Sequence, residues 1–467
     1  MKISTAHDRK RKILCNIHKL LLSAFLITLF ISSGQAQTIV TEEWVETFSG
    51  PDSILNIATA IDVNGNVYVT GTTTNLATGE DFGTLKYDKN GNLLWAKIYN
   101  GPANGSDQAV AIVVDHDCNV YVTGKSYGGL STREDWATIK YDSLGNVKWT
   151  IRFDGPASDR DEPRAITLDS AGNVYVTGFS RGIGTNDDYT TIKYNSNGVQ
   201  QWAAFFNGPG NEIDRANALA VDNLGNVYIT GKSRGTGIER EYSTIKYDAN
   251  GIQLWEQRYD GTGTGDSETK GIVLDANNNV YVTGSSTENG SGLDYTTIKY
   301  STTGIQQWIS QFNGPGNGQD QANAIAIDAH GNIFVTGSSF INVNQILFIG
   351  NFDYTTVKYD TNGTEQWVAS FSGPIDGFDR ANAIAVDKDG NVYVTGSIAS
   401  DTIDLGFFVE TVSDYATIKY DSIGNEVWLQ TFSGPGKGND AANDIAVDED
   451  GNVYVTGFSF NGNNFDY

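Results

Sequence analysis

The chain has 467 residues, with 31 Lys and Arg against 56 Asp and Glu and a net charge of −25. So acidic a balance excludes nucleic acid and anionic membranes as electrostatically favoured partners, and leaves cations or basic surfaces. With four histidines and two cysteines in all, there is little material for a His- or Cys-based metal or redox centre.

In chain order, residues 1–36 read as a secretory signal peptide. Lys2, Arg9, Lys10, Arg11, Lys12 and Lys19 form a basic stretch, Leu20 to Ile31 an apolar one, and Gly34, Gln35 and Ala36 a small-residue cleavage site. The apolar core is shorter than the ~20 residues needed to span a bilayer, so no transmembrane segment is expected after cleavage. Cleavage removes six basic residues and Asp8, which takes the net charge to −30 and leaves Cys118 as the one cysteine. No intrachain disulfide can then form, and a secreted or cell-envelope location has to be met by packing alone.

From Trp44 onward the chain is an array. Asn-Val-Tyr-Val-Thr-Gly or a close variant starts at Asn66, Asn119, Asn173, Asn226, Asn279, Asn332, Asn391 and Asn452, a period of 53 or 54 residues that lengthens to 59 and 61 at the end. In step with it run a Thr-Ile-Lys-Tyr-like segment, with its lysine at Lys86, Lys140, Lys193, Lys246, Lys299, Lys358 and Lys419, and a tryptophan from Trp44 and Trp95 to Trp428. Each period holds four short alternating runs separated by Gly, Asn, Asp and Pro, the pattern of strands and tight turns. In the fourth, strand a is expected over 218–222, b over 227–230, c over 242–247 and d over 253–259. A four-stranded sheet apolar on both faces can bury them only against copies of itself, so the fold expected for residues 37–467 is an all-β propeller.

The motifs Asp-x-x-Gly-Asn-Val-Tyr-Val-Thr-Gly and Asp-Tyr-x-Thr-Ile-Lys-Tyr-Asp, with the strand-d tryptophan, resemble the bacterial SBBP, or seven-bladed β-propeller, repeat proteins from about Trp44 to Tyr467. The resemblance implies secreted or envelope proteins and no particular activity. Counting strands gives a lone strand d over 43–48, seven complete a-b-c-d sets, and strands a and b of an eighth. The expectation is eight blades with a defective last one, the alternative being a seven-bladed ring with surplus strands.

No catalytic constellation is expected, and no cofactor. His116 and His330 sit in a–b hairpins, and Gly261-Thr-Gly-Thr-Gly265 fills the Gly-Pro slot of a repeat and opens no helix. Two series of acids recur. Asp107, Asp161, Asp214, Asp320, Asp379 and Asp440 precede strand a, whereas Asp81, Asp135, Asp188, Glu241, Asp294, Asp353, Asp414 and Asp466 precede strand c. Both series should ring one end of the central channel, accepting backbone N–H bonds or pairing with strand-c lysines. Calcium is a weaker alternative, suggested by Asp387 and Asp389 and by Asp448 and Asp450, whose loops lack the twelve-residue spacing of an EF-hand.

Function is expected where the repeat is broken. From the Gly ending strand b to the acid before strand c, five repeats take 10 or 11 residues, but the sixth takes 16 and the seventh 18. Those insertions carry Ile346, Leu347, Phe348 and Ile349, and Leu405, Phe407, Phe408 and Val409. Apolar residues in loops on so acidic a chain either pack on each other along an elongated b–c hairpin or form a partner-binding patch. The reading is a secreted, non-catalytic, monomeric interaction or scaffold module for an extracellular protein or glycan. The alternative is a propeller that binds or processes carbohydrate with carboxylates at the channel mouth.

Overall fold

The computed structural model describes residues 40–48, 58–343, 350–404, 409–462 and 465–466, and among them every regular element is a β-strand. The strands form eight antiparallel sheets arranged in a ring. The first seven have four strands each, in sequence order a-b-c-d, and the eighth has three. The first comprises Ala58–Ile61, Val67–Asn75, Gly79–Tyr87 and Leu93–Tyr99; the fourth comprises Arg215–Val221, Val227–Arg234, Arg240–Tyr247 and Gln253–Tyr259. In the eighth they are Ala441–Val447, Val453–Phe460 and Phe465–Asp466.

Turn chemistry sets the hairpins. In the fourth sheet Asp222 Oδ1 accepts the N–H groups of Leu224 and Asn226 at 2.9 Å each, closing a side-chain-capped turn. The turn needs a left-handed residue, supplied by Gly225 at φ +78°; in the second sheet Cys118 holds that place at φ +60°. Strands run further toward the b–c end than the pattern indicates. A bulge between Ala216 and Ala218 lets Arg215 and Ala216 keep pairing with Lys232 and Gly231.

Strands b and c are buried on both faces, and strand d is the most exposed. Each hydrophobic cluster draws on two neighbouring sheets, as Tyr228 and Tyr242 do with Val280, Val282 and Ile298. The strand-d tryptophan is the fastener. Trp202 lies 6.3 Å from Tyr175 in its own sheet and 6.3 Å from Tyr247 in the next, and its Nε1–H donates to Ala249 O at 3.0 Å in the next sheet's c–d turn.

Trp44 makes the same contacts across the ends of the array. Its ring lies 6.3 Å from Tyr454 in the eighth sheet and 6.1 Å from Tyr87 in the first, and its Nε1–H reaches Lys89 O at 3.2 Å. It therefore takes the place that the strand-d tryptophan holds in the other blades, although residues 43–48, expected as a strand d, form no strand and the eighth sheet has only its three C-terminal strands. A Cβ on Gly91 would come within 2.7 Å of its indole, so the turn it covers requires glycine for space as well as for its φ of +84°. The structure settles the count at eight, so the seven-bladed alternative, and the seven in the name of the resembling repeat, do not hold here. The eighth sheet stands between the seventh and the first and is bonded to the first through Asp444 and Thr59.

Candidate functional site

The a–b and c–d hairpins lie at one end of every blade, and the b–c hairpin and the connection to the next blade lie at the other. At the first end the repeated polar groups are consumed by the fold. Tyr228 OH donates to Asp222 Oδ2 at 3.1 Å, and Lys246 Nζ sits 4.7 Å above the Tyr228 ring and donates to Thr302 O of the next blade at 3.0 Å. Burial lowers the Lys246 pKa, and the Asp222 charge opposes it. In the first blade Lys86 Nζ also lies 3.8 Å from Asp62. The strand-c lysines thus face the aspartates of the a–b turns. Their expected pairing with the acids before strands a and c fails because those acids stand at the opposite end of the blade.

The weak calcium candidates are in this first group. Asp387 Oδ1 accepts the N–H groups of Asp389 and Asn391, and Oδ2 accepts Asn391 Nδ2 at 2.7 Å and Tyr393 OH at 2.9 Å. Asp448 is bonded in the same way to Asp450, Asn452 and Tyr454. Both oxygens of each turn aspartate are engaged by protein donors, and Asp389 and Asp450 contribute backbone N–H groups to those turns.

At the other end the acids before strand a accept backbone N–H bonds, as expected. Asp214 takes those of Gly208 at 2.7 Å and Arg234 at 3.0 Å, and Asp320 those of Gly314 and Phe340. Burial nonetheless pushes Asp161 and Asp379 up to about 7, against those hydrogen bonds. The acids before strand c behave differently. Asp188 accepts the Thr185 hydroxyl and Asp294 the Ser291 hydroxyl, while Asp81, Asp135, Asp188, Asp294 and Asp353 each keep a buried Oδ1 without a partner. Burial raises Asp81 and Asp188, and the neighbouring Asp107 and Asp214 add to it. Both effects favour the neutral, protonated form of these two carboxyls.

Two places depart from the repeat. Between the second and third blades Asp154 takes a slot held by Asn100, Asn207, Asp260, Asn313, Ser372 and Ser433 in the other repeats, and carboxylate oxygens of Asp135, Asp154 and Asp161 lie within 4.8 Å of one another. Arg152 supplies a counter-charge there, its Nη2 standing 2.6 Å from Asp135.

The second departure is the pair of long b–c hairpins. Pairing stops at Arg234 and Arg240 in the fourth blade, but continues to Val343 and Gly350 in the sixth and to Asp404 and Val409 in the seventh. Val409 is thus the first residue of its strand. Ile346, Leu347, Phe348, Ile349, Leu405, Phe407 and Phe408 lie outside the described residues. At the base of the sixth hairpin stands an aromatic group that the sequence reading missed. Phe352 lies 5.4 Å from Phe340 and 4.2 Å from Phe378, and Phe378 is 53% exposed. Phe352 N–H donates to Gly377 O and its carbonyl accepts Asp379 N–H, which ties this hairpin to the loop entering the seventh blade. The available signal was Phe378 itself, which stands where Gln319 and Asn439 stand in other repeats.

Five stretches, residues 155–182, 201–239, 307–342, 379–402 and 429–466, match the SBBP beta-propeller repeat. An uncharacterized WD repeat-containing protein of Acanthamoeba polyphaga mimivirus is 25% identical over 453 residues, covering 81% of this chain and 31% of that protein. The chain thus spans less than a third of that relative's length. Among solved structures, a PL25 ulvan lyase is 10% identical with a TM-score of 0.44, over 83% of this chain and 95% of that one. The β-propeller domain of the Trilobed protease from Pyrococcus furiosus is 7% identical with a TM-score of 0.42, over 81% of this chain and 98% of that one. No described helix is long and apolar enough to cross a membrane.

Proposed function

We propose that this chain, built of SBBP beta-propeller repeats, is a secreted, non-catalytic interaction or scaffold module whose extracellular partner docks on the long hairpins of the sixth and seventh blades. The observation that supports this is a contrast. The recurring turn aspartates, lysines and tryptophans are spent on hydrogen bonds and ring contacts inside the propeller, whereas these two hairpins project beyond the repeat and carry apolar residues, with Phe378 exposed at their base. Surfaces of that kind on an otherwise acidic protein bind partners through apolar anchors.

The test compares capture from the native extracellular fraction by the wild type and by a variant with Phe348, Phe407 and Phe408 replaced by Ser. Loss of a specifically retained species at an unchanged melting temperature supports the proposal. Equal capture by both proteins defeats it.

A second reading, glycan binding, is favoured by the three carboxylates Asp135, Asp154 and Asp161, since Asp154 is exposed beside two buried acids. Binding to a glycan array that Asp154→Asn abolishes and the hairpin variant retains would transfer the function to that junction.

A further inference from the structure

The chain is acidic, yet its arginines are gathered in one region. Nine of the ten beyond residue 36 fall between Arg133 and Arg258, at the b–c end of the second to fourth blades. Four of them converge where the third blade meets the fourth. The guanidinium carbons of Arg160, Arg164 and Arg215 stand 5.2, 5.7 and 4.6 Å from the centre of one ring, that of the buried Phe179. Arg181 joins them through Asp187, which it shares with Arg215.

Two carboxylates serve these four cations. The two oxygens of Glu162 take Arg160 Nη2 and Arg164 Nη2 at 2.7 Å each, while Asp187 takes Arg215 Nε at 2.8 Å and, more distantly, Arg181 Nη1 at 3.5 Å. Both acids lie buried underneath, whereas the side chains of Arg160, Arg164 and Arg181 are 45%, 36% and 39% exposed. The surrounding acids do not make up the difference. Asp161 and Asp214 are spent on backbone N–H groups, and burial holds them and Asp188 toward the neutral form. The more accessible Asp159 and Glu212 are paired with Arg133 and Arg234.

Arg164 departs from the repeat at a position with a defined task. It fills the bulge of strand a, where Asn217, Asn323 and Asn382 donate through Nδ2 to Thr269 O, Ala381 O and Ala442 O of the next blade at 2.8 Å each. Arginine gives up that bond. Its Nε is buried without a partner, and among the described residues the Arg160 and Arg164 side chains donate to Glu162 alone. A buried N–H with no acceptor and like charges crowded on one ring both cost free energy that an incoming anion would return.

We infer that this cluster is a binding site for a tetrahedral oxyanion, a sulfate or phosphate group on a ligand, held by the uncommitted N–H groups of Arg160, Arg164 and Arg181 above Phe179. Guanidinium forks present paired donors to such oxygens. The net charge of the chain, screened over about 8 Å at physiological salt, does not cancel them at contact. The site is separate from the long hairpins of the sixth and seventh blades and does not rest on their role.

The test titrates the full chain with sodium sulfate, sodium phosphate, glucose 6-sulfate and glucose 6-phosphate by calorimetry at constant ionic strength, with chloride as the reference anion. Saturable one-to-one binding is expected, and tighter binding of one sugar ester than of the other tells sulfate from phosphate. Arg164→Asn restores the residue of the other blades, and Arg160→Gln is its companion; each leaves Glu162 one guanidinium. The melting temperature in chloride should therefore hold, while oxyanion affinity should fall about 10- to 100-fold, the worth of one charged hydrogen bond. Absence of saturable binding by all four probes would overturn the proposal. So would an oxyanion-induced rise in melting temperature of equal size in the wild type and in Arg164→Asn, which is the general salting effect of such anions.

Discussion

Asp444 Oδ2 accepts the backbone N–H of Thr59 at 2.8 Å, joining residues 385 apart in sequence across the junction of the eighth and first blades. The aspartate stands where Ala218, Ala324 and Ala383 stand in strand a of other blades. The aspartate there is half-buried, and desolvation pushes its pKa up to about 6 against the hydrogen bonds from Thr59 and Ile445.

The seam gives the first prediction. Asp444→Ala fits the space but strands the Thr59 N–H, and should cost about 1–3 kcal/mol, read as a lower denaturation midpoint. Asp444→Asn keeps an acceptor and removes the desolvated charge. It should match or exceed the wild type at pH 8 and lose that advantage at pH 4, where Asp444 is protonated.

Stability should pass through a maximum near pH 5. Asp161 and Asp379, raised to about 7, and Asp444, raised to about 6, have folded pKa values above the unfolded one, so their contribution is complete below about pH 4 and lost as pH rises through 6 to 7. The turn aspartates Asp62, Asp169, Asp222, Asp275 and Asp387 have the opposite sign: burial raises them, but hydrogen bonds from Asn, Tyr and backbone N–H groups hold them below the usual value. Their contribution is present above about pH 4 and lost as pH falls further. Melting temperatures from pH 3 to 8 at constant ionic strength check this, and a curve still rising at pH 8 would contradict it.

Lys246 should tolerate Met better than Ala. Methionine keeps the stem between two blades and loses the bond to Thr302 O and the contact with the Tyr228 ring, at a cost of about 1–2 kcal/mol. Alanine adds a cavity and should cost about 2–4 kcal/mol. Equal midpoints for the two variants would mean that the lysine stem packs against nothing.

Trp44→Ala should lower the melting temperature more than removal of a partly exposed terminal residue would, by about 2–3 kcal/mol of stability, because it unfastens two blades at once. Trp44→Phe should recover most of the loss. A truncation removing residues 1–48 that melts like the full chain would show that the seam needs no tryptophan.

The repeat made the blades legible because its marks are local. Asp222, Gly225 and Asn226 dictate a turn by their own hydrogen bonds, and Trp202 and Lys246 recur wherever that turn does. What stayed hidden depends on the ring. That a strand-c lysine meets Asp62 or Asp222 rather than the acids before strand a follows from which end of the blade each occupies. Phe378 becomes part of an aromatic group only because Phe352 reaches it from another hairpin. Asp444 looked like one more acid in an acidic chain, and its burial is visible only once the eighth sheet closes on the first.

Trp202 grips the turn of the following blade through a ring, a carbonyl and a glycine, and Trp44 grips Lys89 and Gly91 by the same three means although it comes from the other end of the array. Each junction is therefore indifferent to its own ordinal number. No repeat contains information about how many others there should be, so ring size is a property of copy number and of the angle between neighbours. A gene for such a chain could gain or lose one whole repeat and leave every fastening intact, with the adjustment shared as a few degrees at each junction. Change in this architecture is thus cheapest in whole blades, and single residues are free to diverge mainly where the hairpins outgrow the repeat.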